Sequence, residues 1–405
     1  MKSVFLVFTA LMLAGLQTVS AQIDTTRGRY YRPVFPRVSV TSGVTYGSAV
    51  NFSGNNQPLL MDVYEPVGDT LRQRPLIIFA HQGGFVTGTR TDQFMVDVCT
   101  RFARLGYVTA SIDYRLLFHP YDTVNIARAT LRGMQDMRAA VRFFRHDAAT
   151  ARRFRVHPNY IVVGGSSAGG YMALQTGYLN RAGEVPAYLN LAALGGIEGS
   201  SGHPGYSSAV LAVLNLSGAT ESASCIEAGE VPLFSAHGTA DATVPFSKGR
   251  VGCKLPPKYV VGSGRLHQQA AAVGVPNRLL CFRGAGHIPF EGSSARSHAY
   301  ADSTFWGMRD FLRPLLRKPG TMVKPVLATA ATAQARPAPG DDRLHVVLPA
   351  DWTLPIEAEL LDAAGRVVRR FNPRVQNLDM LRGTLRAGIY SIRVPGQLPV
   401  KVEYK

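Results

Sequence analysis

Short, continuous apolar runs punctuate most of the chain. Residues 75–81 (Pro-Leu-Ile-Ile-Phe-Ala-His), 107–113, 160–165, 210–216, 231–237 and 278–283 are of this kind. Such runs mark strands covered on both faces, as in a parallel sheet. Residues 44–50 and 59–64 read as strands ahead of them. Between the runs the period changes. Residues 94–105 read as a helix, and Ala127, Leu131, Met134, Met137, Val141 and Phe144 recur at helical spacing along a long amphipathic stretch, 124–146. Another helix starts at Ala168. Strands alternating with helices predict an α/β fold, a mostly parallel sheet flanked by helices, over residues 42–316.

The pattern lapses in places. Residues 180–208 are Gly- and Ser-rich without periodicity, and a loop of that length in a compact domain is usually a functional rim. Residues 22–41 are polar, broken by Pro and read as an N-terminal arm, while 317–342 is rich in Ala, Pro and Thr and reads as a linker. After it, short alternating segments at 344–348, 356–361, 367–371, 389–394 and 400–404 predict a small C-terminal β-sandwich over 343–405. At the other end, Lys2, the apolar run 4–16 and the small residues Val19-Ser20-Ala21 have the layout of a signal peptide over 1–21. That run is shorter than the ~20 residues a membrane helix needs, so the mature chain is expected to be exported, with no transmembrane segment.

Composition narrows the class. Of the 405 residues 46% are hydrophobic and 18% charged, which describes a packed globular protein and excludes a disordered one. The formal charge of +17 comes largely from Arg scattered along the chain, with no aromatic-interleaved basic block, so no nucleic-acid partner is expected. The four cysteines (Cys99, Cys225, Cys253, Cys281) have no zinc-site spacing, and no metal or organic cofactor is implied. Disulfides suit an exported chain. Cys225 and Cys253 lie in loop-like stretches and are the favoured pair, whereas Cys281 reads as a buried strand residue.

The chemistry gathers at strand ends. Gly165-Ser166-Ser167-Ala168-Gly169 fits G-x-S-x-G, with a buried strand before it and a helix after it, the setting of a nucleophile elbow. A serine hydroxyl needs a base, and the base an orienting carboxylate. Asp241 follows the run 231–237 in Gly238-Thr239-Ala240-Asp241, and His287 follows the last strand in Gly284-Ala285-Gly286-His287. Ser167, Asp241 and His287 thus occur in the chain order of an α/β-hydrolase triad. His81-Gln82-Gly83-Gly84-Phe85 directly follows the run 75–80, so the N–H groups of Gly83, Gly84 and Ala168 are the candidate oxyanion hole. His237 reads as a strand-end packing residue, His81 as structural, and His119, His203, His267 and His298 as surface groups. Asp113 reads as ordering a loop through Arg115. Residues 87–94, 116–123 and 194–206 are the expected pocket lining.

Met61-Asp62-Val63-Tyr64-Glu65-Pro66, His81-Gln82-Gly83-Gly84-Phe85 and Gly165 to Gly170 resemble the carboxylesterases related to hormone-sensitive lipase, above all the bacterial feruloyl and acetyl-xylan esterase-like branch. Gln82 departs from that family's H-G-G-G. The resemblance implies a serine esterase acting through an acyl-enzyme on small-molecule or polysaccharide esters. Two other readings stay open. His237 to Pro245 (His-Gly-x-x-Asp-x-x-Val-Pro) also occurs in prolyl-oligopeptidase-type serine peptidases, and a hydrolase scaffold can serve as an inactive surface binding protein. The C-terminal segments 358–368 and 387–394 resemble the sorting domain of the type IX secretion system, which implies that machinery as a partner and a secreted or cell-surface location; a carbohydrate-binding or spacer sandwich is the alternative.

Overall fold

A computed structural model describes residues 23–117, 122–252 and 258–317, and beyond them 334–337, 343–347, 357–362, 367–375, 377–381, 388–393 and 400–404. The expected signal segment, Cys253, His119 and most of the expected linker lie outside these residues. In chain order the elements are β1 (Val38–Val50), β2 (Asn56–Pro66), β3 (Arg74–Ala80), α1 (Gln93–Leu105), β4 (Val108–Ile112), α2 (Thr123–Ala149), β5 (Val156–Ser166) and α3 (Ala168–Tyr178). There follow β6 (Val213–Leu216), β7 (Ala219–Thr220), β8 (Leu233–Gly238), β9 (Lys248–Arg250), β10 (Tyr259–Gly262), α4 (Ser263–Ala272), β11 (Asn277–Phe282) and α5 (Ala295–Arg317).

One eight-stranded sheet, in the order β1-β2-β4-β3-β5-β6-β8-β11, forms the centre. β2 runs antiparallel to β1 and β4, and the pairings from β4 to β11 are parallel. Every residue of β3, β4 and β8 is buried, as their unbroken apolar runs require. The period-two geometry divides them between faces: Leu76, Ile78 and Ala80 pack into one core with α2, α3 and α4, while Ile77 and Phe79 pack into the other with α1 and α5. The α/β prediction therefore holds, with helices on both faces. β7, β10 and β9 form a separate three-stranded sheet, in the chain after the segment that carries Ser167.

Several expectations need correction. The N-terminal arm packs onto the fold: Ile23 and Tyr30 join the core beside α1, the Tyr30 N–H donates to the Leu105 carbonyl at 2.8 Å, and β1 starts at Val38. The Cys225 thiol donates to the Ser222 carbonyl at 3.0 Å, and burial pushes it up to about 12; its expected partner Cys253 lies outside the described residues. Cys281 is exposed rather than buried, because β11 is the edge strand of the sheet.

The C-terminal strands are β12 (Gln334–Pro337), β13 (Arg343–Val347), β14 (Ala358–Leu361), β15 (Val367–Phe371), β16 (Asn377–Leu381), β17 (Gly388–Arg393) and β18 (Val400–Tyr404). They form two antiparallel sheets, β12-β13-β16 and β15-β14-β17-β18. β12 falls inside the expected linker, where only Gln-Ala-Arg-Pro pairs with β13 and no apolar alternation marks it.

Candidate active site

The nucleophile position is built by close approach. β5 ends at Ser166, α3 begins at Ala168, and Ser167 between them takes φ 49° and ψ −110°. A non-glycine residue with positive φ is uncommon and costs of order 1–3 kcal/mol. Here the Ser167 N–H is held by the Leu216 carbonyl at 2.8 Å. The flanking glycines make the turn possible: a Cβ on Gly169 would sit 2.0 Å from the Ala80 carbonyl oxygen, and one on Gly165 2.4 Å from the Gly169 carbonyl carbon.

Three loops at the ends of parallel strands meet there. His287 Nε2 lies 2.8 Å from Ser167 Oγ, and His287 Nδ1 lies 2.7 Å from Asp241 Oδ2. Asp241 Oδ1 accepts the N–H groups of Thr243 and Val244, each at 2.8 Å. Burial works against the charge on Asp241. Hydrogen bonds from His237 and His287, the charge of His287 and the Val244 N–H outweigh it and hold the carboxyl well below the usual carboxylate range. An ionised Asp241 fixes His287 with Nδ1 protonated and Nε2 free to accept the Ser167 proton. The structure thus brings Ser167, His287 and Asp241 into one hydrogen-bonded series.

The loop after β3 supplies the third component. Gly83 (φ 117°) and Gly84 (φ 61°) turn back so tightly that a Cβ on Gly83 would lie 2.0 Å from the Thr87 carbonyl oxygen. Among the described residues the N–H groups of Gly83, Gly84 and Ala168 donate to no backbone carbonyl, and all three residues line the same cavity as Ser167. His81 is structural, as expected: it stacks on Tyr114 at 4.3 Å, and its Nδ1 donates to the Gln82 carbonyl at 2.6 Å.

That cavity encloses about 630 Å³, and its wall is mainly apolar: Phe85, Ile126, Tyr171, Val244, Val260 and Ile288. The described parts of the expected lining, 87–94, 116–117, 122–123 and 194–206, do not contribute to it. The small β7-β10-β9 sheet and the loops around it provide Glu221, Val251, Lys258 and Val260 instead. No apolar run long enough to stand out marks that sheet in the sequence.

Other side chains depart from their expected roles. Asp113 pairs with Arg90, while Arg115 is held by the buried Asp136 at 2.7 Å. His267 is buried, hydrogen-bonded to Asn277 at 2.9 Å and pushed down by burial to about 4. His203 stacks on His146 at 3.9 Å, and His298 is exposed as expected. His237 is fully buried, yet its Nε2 lies 3.1 Å from the triad carboxylate, a contact that strand-end packing does not describe.

Comparison with known proteins fits this geometry. Thermogutta terrifontis esterase 2, phosphoramylated by tabun, is 24% identical with a TM-score of 0.51, covering 69% of this chain and 96% of the esterase. The native form of the same enzyme gives 22% and 0.50, covering 75% and 99%. The fold is that of the α/β-hydrolases. A family model described as BD-FAE matches residues 61–225, less than half of the chain, taking in Ser167 and the Gly83–Gly84 loop but neither Asp241 nor His287. Esterase LipC of Mycobacterium tuberculosis is 31% identical over 124 residues, which span 31% of this chain and 28% of that esterase. The non-reducing polyketide synthase atr1 of Stereocaulon alpinum is 30% identical over 127 residues, 30% of this chain and 5% of the synthase. The chain therefore matches well under half the length of these curated relatives.

Proposed function

We propose that the protein is a serine carboxylic-ester hydrolase working through an acyl-enzyme. The observation that carries this is the hydrogen-bonded series Ser167–His287–Asp241 opening into one apolar cavity beside the N–H groups of Gly83, Gly84 and Ala168. Ser167 Oγ attacks the acyl carbon as His287 Nε2 takes its proton, and the carbonyl oxygen gathers charge facing those N–H groups. His287 then gives the proton to the departing alkoxide. Water, deprotonated by His287, attacks the acyl-enzyme and frees the acid and Ser167. The similarity to esterases supports the reading.

A cavity of about 630 Å³ is far larger than an acetyl group, and its apolar wall suits esters with extended alkyl or aromatic portions, including acyl groups carried on polysaccharide. We place the enzyme outside the cytoplasm, on the signal-like residues 1–21 and the C-terminal sorting-domain resemblance. Among the described residues no helix is long and apolar enough to cross a membrane. Ser167→Ala should lower kcat for p-nitrophenyl acetate by about 10⁵-fold or more and abolish labelling by a fluorophosphonate. Wild-type rates in that variant would overturn the assignment.

A further inference from the structure

The triad does not end at Asp241. Oδ2 of that carboxylate is shared: His287 approaches it at 2.7 Å from the loop after β11, and His237, at the end of β8, approaches it at 3.1 Å. His237 Nε2 also lies 3.0 Å from the Val244 carbonyl. Facing two acceptors, Nε2 must carry the proton, a tautomer assigned from its partners. Nδ1 then accepts from the Ser263 hydroxyl at 2.8 Å, and Ser263 Oγ in turn accepts the Asn215 amide at 3.1 Å. The same amide reaches Ser235 Oγ at 3.0 Å, while Asn215 Oδ1 accepts the Gly218 N–H at 2.9 Å. Asn215, Ser235, His237 and Ser263 are all fully buried, and Asn215 precedes Leu216, whose carbonyl holds the Ser167 N–H.

We propose that His237 is a positioning residue of the triad: a second imidazole whose Nε2–H fixes the Asp241 carboxylate, itself held in place by Ser263 and Asn215. This rests on the hydrolase reading of Ser167. Two imidazoles on one oxygen do different work. His287 faces Ser167 and gains and loses a proton in each turnover, whereas His237 is fully buried and has no side exposed to the cavity. By taking up part of the Oδ2 charge it limits how strongly Asp241 stabilises protonated His287. The ionisable groups facing Asp241 are His237 from β8, His287 from its loop and Tyr171 from α3; His287 also faces Glu291.

The test compares His237→Leu, His237→Gln and Ser263→Ala with wild type, following kcat, KM and the pH profile of kcat/KM on p-nitrophenyl butyrate, with thermal unfolding alongside. Leu removes the donor, and Gln places an amide N–H near the same point. His237→Leu should lose about 10- to 100-fold in kcat with KM little changed. The acid limb of kcat/KM should move to higher pH, because the freed Oδ2 charge favours protonated His287. His237→Gln should recover most of the rate with the wild-type limb, and Ser263→Ala should fall between them. Should the Leu variant fail to fold, Gln and Ser263→Ala still decide: a limb unmoved in Ser263→Ala, or Gln as impaired as a triad knockout, overturns the proposal. An active His237→Leu with wild-type kcat and limb overturns it while leaving the hydrolase reading intact. Wild-type protein inert to both ester and fluorophosphonate overturns the hydrolase reading and this one together.

Discussion

Glu291 shows how one residue can tie the catalytic loops together and make stability depend on pH. It follows His287 by four positions, accepts the hydroxyl of Ser166 next to the nucleophile, and is faced by the amide of Gln82 in the oxyanion loop. Gln82, the departure from H-G-G-G, thus has a side-chain partner outside the hole. Burial raises the Glu291 carboxyl from 4.5 to about 7, against the hydrogen bonds from Ser166 and Gln82 that favour its charge. The folded state therefore keeps a proton that the unfolded chain releases, and stability falls as pH rises from about 4.5 to about 7. Glu291→Gln should leave Tm unchanged near pH 4 and raise it by about 3 °C or more at pH 8. Parallel Tm–pH curves for the two proteins would refute this. At this scale the sequence spoke clearly where chemistry needs a residue type at a strand end, as for Ser167, Asp241 and His287. It was silent on Glu291, whose partner Ser166 lies 125 residues away, and misleading on His237, because Asp241, four residues on, turns back onto its ring.

Among elements, α2 carries more than its apolar stripe announces. Besides the residues facing the sheet it presents Gln135, Arg138, Arg142 and Arg145, all buried, to a stretch of chain with no regular structure of its own. Gln135 donates to the carbonyls of Leu194 and Gly196 at 2.8 and 2.7 Å, Arg138 to Leu179 at 2.6 Å, Arg142 to Ser201 at 2.6 Å, and Arg145 to Ala209 at 2.5 Å. Glu198 reaches back to Arg138 and Arg142 at 2.9 and 2.8 Å. Guanidinium groups here replace a strand as partners for buried carbonyls. A period-based reading sees a loop and expects a functional rim, since side-chain-to-backbone bonding leaves no periodicity. Arg142→Met leaves the Ser201 carbonyl unpaired and weakens the hold on Glu198. It should destabilise the protein by about 2–4 kcal/mol in urea unfolding. The kcat/KM should stay unchanged, because the segment does not line the cavity; a loss of kcat/KM without a loss of stability would restore the rim interpretation.

For the whole molecule, the charge and the division of the chain belong to one argument. Part of the +17 is interior: Arg74, Arg115, Arg138, Arg142 and Arg145 are buried, and each donates to a carboxylate or carbonyl, so formal charge overstates the basic surface. These interior arginines, the triad, the cavity wall and both main core clusters all fall between Ile23 and Arg317. The strands β12 to β18 pair only with one another, and no pairing joins them to the eight-stranded sheet among the described residues. Among the described residues, a boundary after α5 therefore removes no strand from the eight-stranded sheet and no side chain from its two main core clusters. The shift in composition past residue 316 is where the sequence places a boundary, whereas α5 was not legible, its polar and apolar positions being too mixed to stand out beside the buried strands. A protein ending at Arg317 should unfold cooperatively, take up the fluorophosphonate at Ser167 and hydrolyse p-nitrophenyl esters with kcat/KM within about two-fold of the full chain, separately paired sheets contributing additively. If the shortened protein folds but loses activity, the C-terminal sheets take part in catalysis. If it keeps activity, the C-terminal sheets act outside the chemical step, and fractionating cells that produce each form tests the sorting-domain reading against a carbohydrate-binding or spacer role.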